Sequence, residues 1–277
     1  MSELKNPSYR QIFDAMRLLT PVETVFEKRR IGSAHDGGYV VLDTELAGRH
    51  LLSCGVGQNC DFELAFAELG GTVAMFDHSV AGPPIEHPGF RFFGTKVSGS
   101  ASLREITLDG CLSVSDFPSQ SGLILKVDIE GDEYSAFSVA SDSFLSSFDQ
   151  VVVEFHGLAA LGERTFFDRW VAAISRITDR FHVVHVHANN HSVITLAGGV
   201  LVSGYGIFGG LIVADVLEVT FLRKDLSTAK PNKSIYPTRH DSPNNPSVPD
   251  HMLVFPPFMP VGRDLKEVSE LLRESEN

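Results

Sequence analysis

From His50 onward, short apolar runs recur between polar and glycine-containing turns, at 50–54, 72–77, 90–93, 122–128, 150–155, 181–187 and 217–223, with helix-period segments between several of them. Such alternation predicts a parallel α/β sheet. Leu123-Ile124-Leu125 and Val151-Val152-Val153 are unbroken apolar runs, as central strands covered on both faces require. The last run, Leu217-Glu218-Val219-Thr220-Phe221-Leu222-Arg223, alternates apolar and polar residues and predicts an antiparallel or edge strand. Between Glu163 and Phe181, residues Phe166, Phe167, Trp170, Val171, Ile174 and Ile177 share one helical face, which assigns Trp170 to the core.

Upstream, Ile12, Phe13, Met16, Leu18 and Leu19 predict a short helix ended by Pro21, and Tyr39-Val40-Val41-Leu42 a strand after the turn Asp36-Gly37-Gly38. Lys230 to Pro260 reads as a long loop, and Leu265, Val268, Leu271 and Leu272 as a short closing helix. The chain therefore reads as a single domain over 1–277. It comprises an N-terminal helix-and-strand extension at 1–45, a ligand-binding core at 46–226, and a C-terminal loop with a short helix at 227–277. Val193 to Ala214 carries no charge and is long enough to cross a bilayer. It also holds six glycines and lies between strands of the same predicted sheet. We therefore read it as glycine-broken strand and loop, without membrane insertion.

Composition narrows the function classes. An apolar content of 43% over 277 residues is ample for a core. A formal charge of −12 with no basic cluster argues against nucleic acid or an anionic membrane as partner, and favours neutral or cationic substrates. Three cysteines without CxxC pairing, and a polar N-terminus, fit a reducing cytoplasm.

The candidate chemistry begins where Leu51-Leu52 enters Ser53-Cys54-Gly55-Val56-Gly57-Gln58-Asn59 and a second apolar run ends in Asp77-His78. A strand feeding a glycine turn exposes backbone N–H groups to a ligand, and an acid some 20 residues on can accept ribose hydroxyls. Cys60 stands where a dinucleotide fingerprint wants its third glycine, and Asn59 and Asp61 stand in place of a phosphate clamp. A ribose-bearing ligand without phosphates, S-adenosylmethionine (SAM), fits better. The doubled glycine of Asp36-Gly37-Gly38-Tyr39 also suits close approach by a ligand, which adds Gly38 and Tyr39 to the candidates. Cys54 and Cys60 read as packing residues.

Strand alternation puts Asp128 with Glu130, Glu154 with His156, and His185 with His187 and Asn189, each near the C-terminal end of its strand. In an open α/β sheet these ends meet at one crevice. Two mechanisms follow. His156 can act as the base for an acceptor hydroxyl. Alternatively, Asp128, Glu154 and a histidine such as His185 can hold a divalent metal, magnesium, calcium or manganese by their oxygens and manganese or zinc by the imidazole.

Together, Ser53–Asn59, Phe76-Asp77-His78, Leu125-Lys126-Val127-Asp128-Ile129-Glu130-Gly131-Asp132-Glu133 and His185-Val186-His187-Ala188-Asn189-Asn190 resemble FkbM-type class I SAM-dependent methyltransferases. The resemblance covers roughly residues 30 to 225. It implies a Rossmann-like sheet of seven strands, mostly parallel, with an antiparallel last strand and helices on both faces. It also implies that Gly55 and Gly57 line the methionine part of SAM, that Asp77 holds the ribose, that the segment 94–97 with Lys96 and Val97 lies near the adenine, and that Asp128 sits at the point of methyl transfer. Read from the residues alone, Asn59 in the turn and His78, next to Asp77 and in reach of the ligand's sugar or base edge, join the candidate contacts. The expected acceptor is a hydroxyl of a saccharide or of another small molecule. The segment 193–214 is longer than the resemblance implies between those last strands, and association into a homo-oligomer is left open. An NAD-dependent oxidoreductase is the alternative from another class; against it stand Cys60 and the absence of a lysine after Tyr134 in a Tyr-x-x-x-Lys pair.

Overall fold

The computed structural model describes residues 5–196, 200–201 and 212–260. Seven strands form the central sheet: β1 (Leu51–Cys54), β2 (Val73–Phe76), β3 (Phe90–Phe93), β4 (Leu123–Val127), β5 (Phe148–Phe155), β6 (Phe181–Ala188) and β7 (Leu217–Arg223). Each falls within about two residues of a run expected from hydropathy. Their order is β6-β7-β5-β4-β1-β2-β3. Strands β1 to β5 pair in parallel, and β7 runs antiparallel between β5 and β6. This is the Rossmann-like arrangement with an antiparallel last strand. The order reverses at β1 and β4, so the crevice beyond their C-terminal ends is the natural ligand site.

Helices cover both faces. On one, α1 (Tyr9–Met16), α3 (Leu108–Val114), α4 (Glu133–Val139), α5 (Asp142–Ser146) and α6 (Arg164–Thr178) pack on Leu52, Leu125, Val151, Val153 and Phe221. Trp170, Ile174 and Ile177 are fully buried there, as the apolar stripe of α6 demands. On the other face, α2 (Asp61–Glu68) lays Phe62 and Phe66 against Leu51, Val73 and Met75. The antiparallel hairpin Lys28–Gly32 and Gly38–Leu42 covers Ile124 and Val152 with Ile31, Tyr39 and Val41.

The segment 230–260 lacks regular structure beyond the pair Lys230–Pro231, yet it is no loose tail. Tyr236, Leu253 and Phe258 are buried, and Asp241 and Asp250 are tied to histidines of β6. The described ends of the uncharged stretch, Ile194–Leu196, Val200–Leu201 and Ile212–Ala214, form their own three-stranded sheet. The rest of that stretch, and the closing helix expected around Leu265 to Leu272, lie outside the described residues. Among the described residues, no helix is long and apolar enough to cross a membrane.

Candidate active site

The glycine turn is held from three sides. Gly55 has φ +83°, and a Cβ on it would lie 1.6 Å from the Asp128 carbonyl oxygen, so only glycine lets β1 and β4 meet here. Asp77, at the end of β2, accepts from the N–H groups of Val56 and Gly57 at 2.8 Å each, and from Ser79 N (2.7 Å) and Oγ (2.6 Å). Burial alone would raise the Asp77 pKa, but the Ser79 hydroxyl and the three backbone N–H groups outweigh it and bring the carboxyl down to about 2. All four acceptor positions of Asp77 serve the turn.

From β4, Lys126 reaches across to donate to the Gly55 carbonyl at 2.6 Å. Its ammonium is buried, 3.4 Å from Glu63 Oε1 and 3.7 Å from Asp128 Oδ2. Glu63, from α2, also accepts from Ser53 Oγ at 2.5 Å. Sequence reasoning gives Lys126 no role beyond its place in the Leu125–Glu133 motif, and gives Glu63 none. The available signal was a lysine inside an otherwise apolar central strand, where an unpaired charge would be expensive.

A small pocket of about 90 Å³ opens beside this turn, lined by Gly55, Phe76, Asp77, His78, Ser79, Thr95, Lys96, Val97, Asp128, Ile129, Glu130 and Asp132. Six of the expected cofactor residues, Gly55, Asp77, His78, Lys96, Val97 and Asp128, are in that lining. Four others lie outside that lining. Gly57 gives its N–H to Asp77. Asn59 donates to the Asp36 carbonyl at 2.8 Å and accepts from Asp61 N, tying the hairpin loop to the turn. At Gly38 the close neighbour is the chain itself, since a Cβ there would lie 2.0 Å from the Ser33 carbonyl oxygen. Tyr39 is buried, with its hydroxyl 3.0 Å from Asp128 Oδ2 and 3.2 Å from Glu154 Oε2. It positions carboxylates and does not face the pocket.

Tyr39→Phe is accordingly expected to lower stability by about 1–2 kcal/mol, because Glu154 and Asp128 lose the one O–H donor they share, while affinity for SAM or its product stays unchanged. Urea unfolding and calorimetry check the two halves separately. A large loss of cofactor affinity without loss of stability would return Tyr39 to the ligand.

Asp128, Glu154 and His156 do converge. His156 Nε2 lies 3.9 Å from Asp128 Oδ1 and 3.6 Å from Glu154 Oε1, while Nδ1 is 3.0 Å from Glu133 Oε1. Burial would lower the imidazole pKa, but Glu133, Glu154 and Asp128 raise it to about 9. His156 therefore carries a proton at neutral pH and is not poised as a base. Glu154 also accepts from Asn189 Nδ2 at 3.0 Å. Burial, with Asp128 and Glu218 nearby, pushes its carboxyl well above the usual range.

His185 does not join this group. It pairs with Thr220 across the sheet, and Thr220 pairs with Val152, one side-chain row below Glu154. Its Nε2 is 2.7 Å from Asp241, which anchors the C-terminal segment. His187 stands in the Glu154 row but spends both nitrogens on Glu218 and Asp250. The metal set Asp128, Glu154 and His185 is thus corrected: the histidine beside the carboxylates is His156.

No protein-family model matches the chain, and no curated protein matches it. Among solved structures, a TehB-like SAM-dependent methyltransferase from Corynebacterium glutamicum is 14% identical, with 64% of this chain and 81% of that one covered at a TM-score of 0.31. The N-methyltransferase NodS from Bradyrhizobium japonicum is 12% identical over 65% and 90%, at 0.31. A chain of a fibrillarin/Nop5p complex is 10% identical over 74% and 98%, at 0.38. Likeness at these scores carries no weight for the chemistry, which rests on the site itself.

Proposed function

We propose that the protein is a SAM-dependent O-methyltransferase acting on a hydroxyl of a saccharide. The observation that carries this reading is the charge of the pocket beside the glycine turn. Four of its lining residues are acids, Asp77, Asp128, Glu130 and Asp132, and the lysine among them, Lys96, is 2.7 Å from Asp132. A pyrophosphate would meet repulsion there, whereas a sulfonium and an α-ammonium meet complementary charge. That contrast favours SAM over NAD. When bound, SAM supplies an electrophilic methyl group. Asp128, in the lining of the pocket and steadied by Tyr39, would orient the acceptor hydroxyl and take its proton. A polyol suits a rim of hydrogen-bond acceptors, and the resemblance to FkbM-type enzymes supports a saccharide.

The test is calorimetric titration with S-adenosylhomocysteine, with and without EDTA, against NAD. Saturable binding of the homocysteine compound alone supports the reading and opens a screen of sugars for gain of a methyl by mass. Binding of NAD instead, or of neither, overturns it. Asp77→Ala is expected to weaken the homocysteine compound by roughly tenfold or more, through a collapsed turn and lost charge-assisted bonds.

Asp77 also predicts acid sensitivity. Its pKa falls from 3.8 to about 2 on folding, so its contribution is complete above the unfolded value and is lost as pH drops through about 2. Thermal midpoints of Asp77→Asn should therefore fall less steeply than wild type between about pH 4 and 2. Parallel curves would show that the carboxylate does not support the turn.

A further inference from the structure

We infer that Asp128, Glu130 and His156, with Glu154 beside them, form a divalent-cation site at the edge of the pocket. A carboxylate oxygen of Asp128, one of Glu130 and a ring nitrogen of His156 all lie within 4.8 Å of one another. His156 Nε2 stands 3.9 Å from Asp128 Oδ1, 3.6 Å from Glu130 Oε2 and 3.6 Å from Glu154 Oε1. Direct N–H···O bonds would be about 2.7–3.2 Å. Donor atoms held about 2.0–2.2 Å from a shared ion stand roughly 3–4.3 Å apart, the spacing found here.

A second, independent observation lies on the far side of the ring. The Nδ1–H donates to Glu133 Oε1 at 3.0 Å, and Glu133 is fully buried. Its carboxylate is fixed in turn by the N–H groups of Ile129 (3.0 Å) and Gly131 (3.0 Å). Ligating histidines characteristically donate their other N–H to such a carboxylate, which fixes the ring orientation, and binding of the ion displaces the proton on Nε2. A chance gathering of surface acids has no use for it. Among the described residues, His156 Nε2 makes no hydrogen bond that an ion would have to displace.

The donor set, carboxylate oxygens with one imidazole, suits manganese among the divalent ions. Binding of the ion does not depend on the proposed methyl transfer. Its role does rest on that reading: a Lewis acid beside Asp128 would acidify the acceptor hydroxyl.

The experiment strips the purified protein with EDTA and titrates it with Mn²⁺ in the absence of any SAM compound, following free Mn²⁺ by electron paramagnetic resonance and heat by calorimetry. We expect one Mn²⁺ per chain. Glu130→Gln, a change to an 87% exposed side chain that spares the fold, and His156→Gln should each weaken binding at least tenfold. Glu133→Gln should weaken it roughly 10–100-fold, and His78→Gln should leave it unchanged. Absence of saturable Mn²⁺ binding by the wild type, or binding undiminished in both Glu130→Gln and His156→Gln, overturns the proposal. Mn²⁺ binding by a protein that fails to bind S-adenosylhomocysteine would sink the methyltransferase reading and leave the ion site standing.

Discussion

Lys126→Met is expected to lower the stability of the protein by about 3–5 kcal/mol, the cost of leaving a buried charge uncompensated. Lys126 and Glu63 are 4% and 1% exposed. The lysine is the cation shared by Glu63 Oε1 and Asp128, and Glu63 Oε2 has no hydrogen-bond partner among the described residues. Methionine fills the same volume, so packing is nearly conserved and the loss reports charge. The Gly55 carbonyl loses its donor as well, which loosens the turn and should weaken S-adenosylhomocysteine in parallel. Urea unfolding should show a lower midpoint at unchanged slope. Adding Glu63→Gln removes the stranded charge and should restore at least about 1 kcal/mol, a coupling that distant sites do not show. Strictly additive single and double variants would mean that the pair contributes nothing specific.

The second large effect is expected at Gly55. In Gly55→Ala the new methyl would lie 1.6 Å from the Asp128 carbonyl oxygen, and the residue would be held at φ +83°. Left-handed backbone alone costs a non-glycine residue about 1–3 kcal/mol. The overlap must also be relieved by separating β1 from β4, which breaks the Asp128 N–H to Cys54 carbonyl bond of 2.9 Å. Binding of S-adenosylhomocysteine should fall by roughly a hundredfold, the equivalent of about 2.7 kcal/mol.

Gly57→Ala is the internal control. It sits at φ +60° with nothing within 4 Å of a Cβ, so it should cost only about 1–2 kcal/mol of backbone strain. Its N–H to Asp77 survives the change. Equal damage from the two alanines would show that the turn senses strain alone, and wild-type affinity in Gly55→Ala would move the donor site elsewhere.

The seven central strands were legible because apolar runs of strand length, separated by turns, have few other ways to bury themselves. Asp128, Glu154 and His156 were legible as neighbours because β4 and β5 pair directly, so parity and strand end suffice to bring them together. His185 was misplaced because parity does not give depth. It lies inside β6 at the level of Val152, after a register shift between Val183 and His185 that no alternation rule reveals. Glu63 was invisible as a partner because it comes from a helix, and which helical face meets Lys126 depends on how α2 packs.

The sequence by itself determined the strands, the antiparallel character of the last one, the glycine turn and the acid at the end of β2, since each follows from local hydropathy and backbone sterics. Tertiary structure alone decided how those charges are shared. It turned Tyr39 and Asn59 from ligand contacts into struts, took His185 to the C-terminal segment, and set His156 between Glu133 and the carboxylates. Electrostatic partners are chosen by distances of a few ångströms between groups far apart in the chain, and those distances exist only once the sheet, the hairpin and the helices have packed.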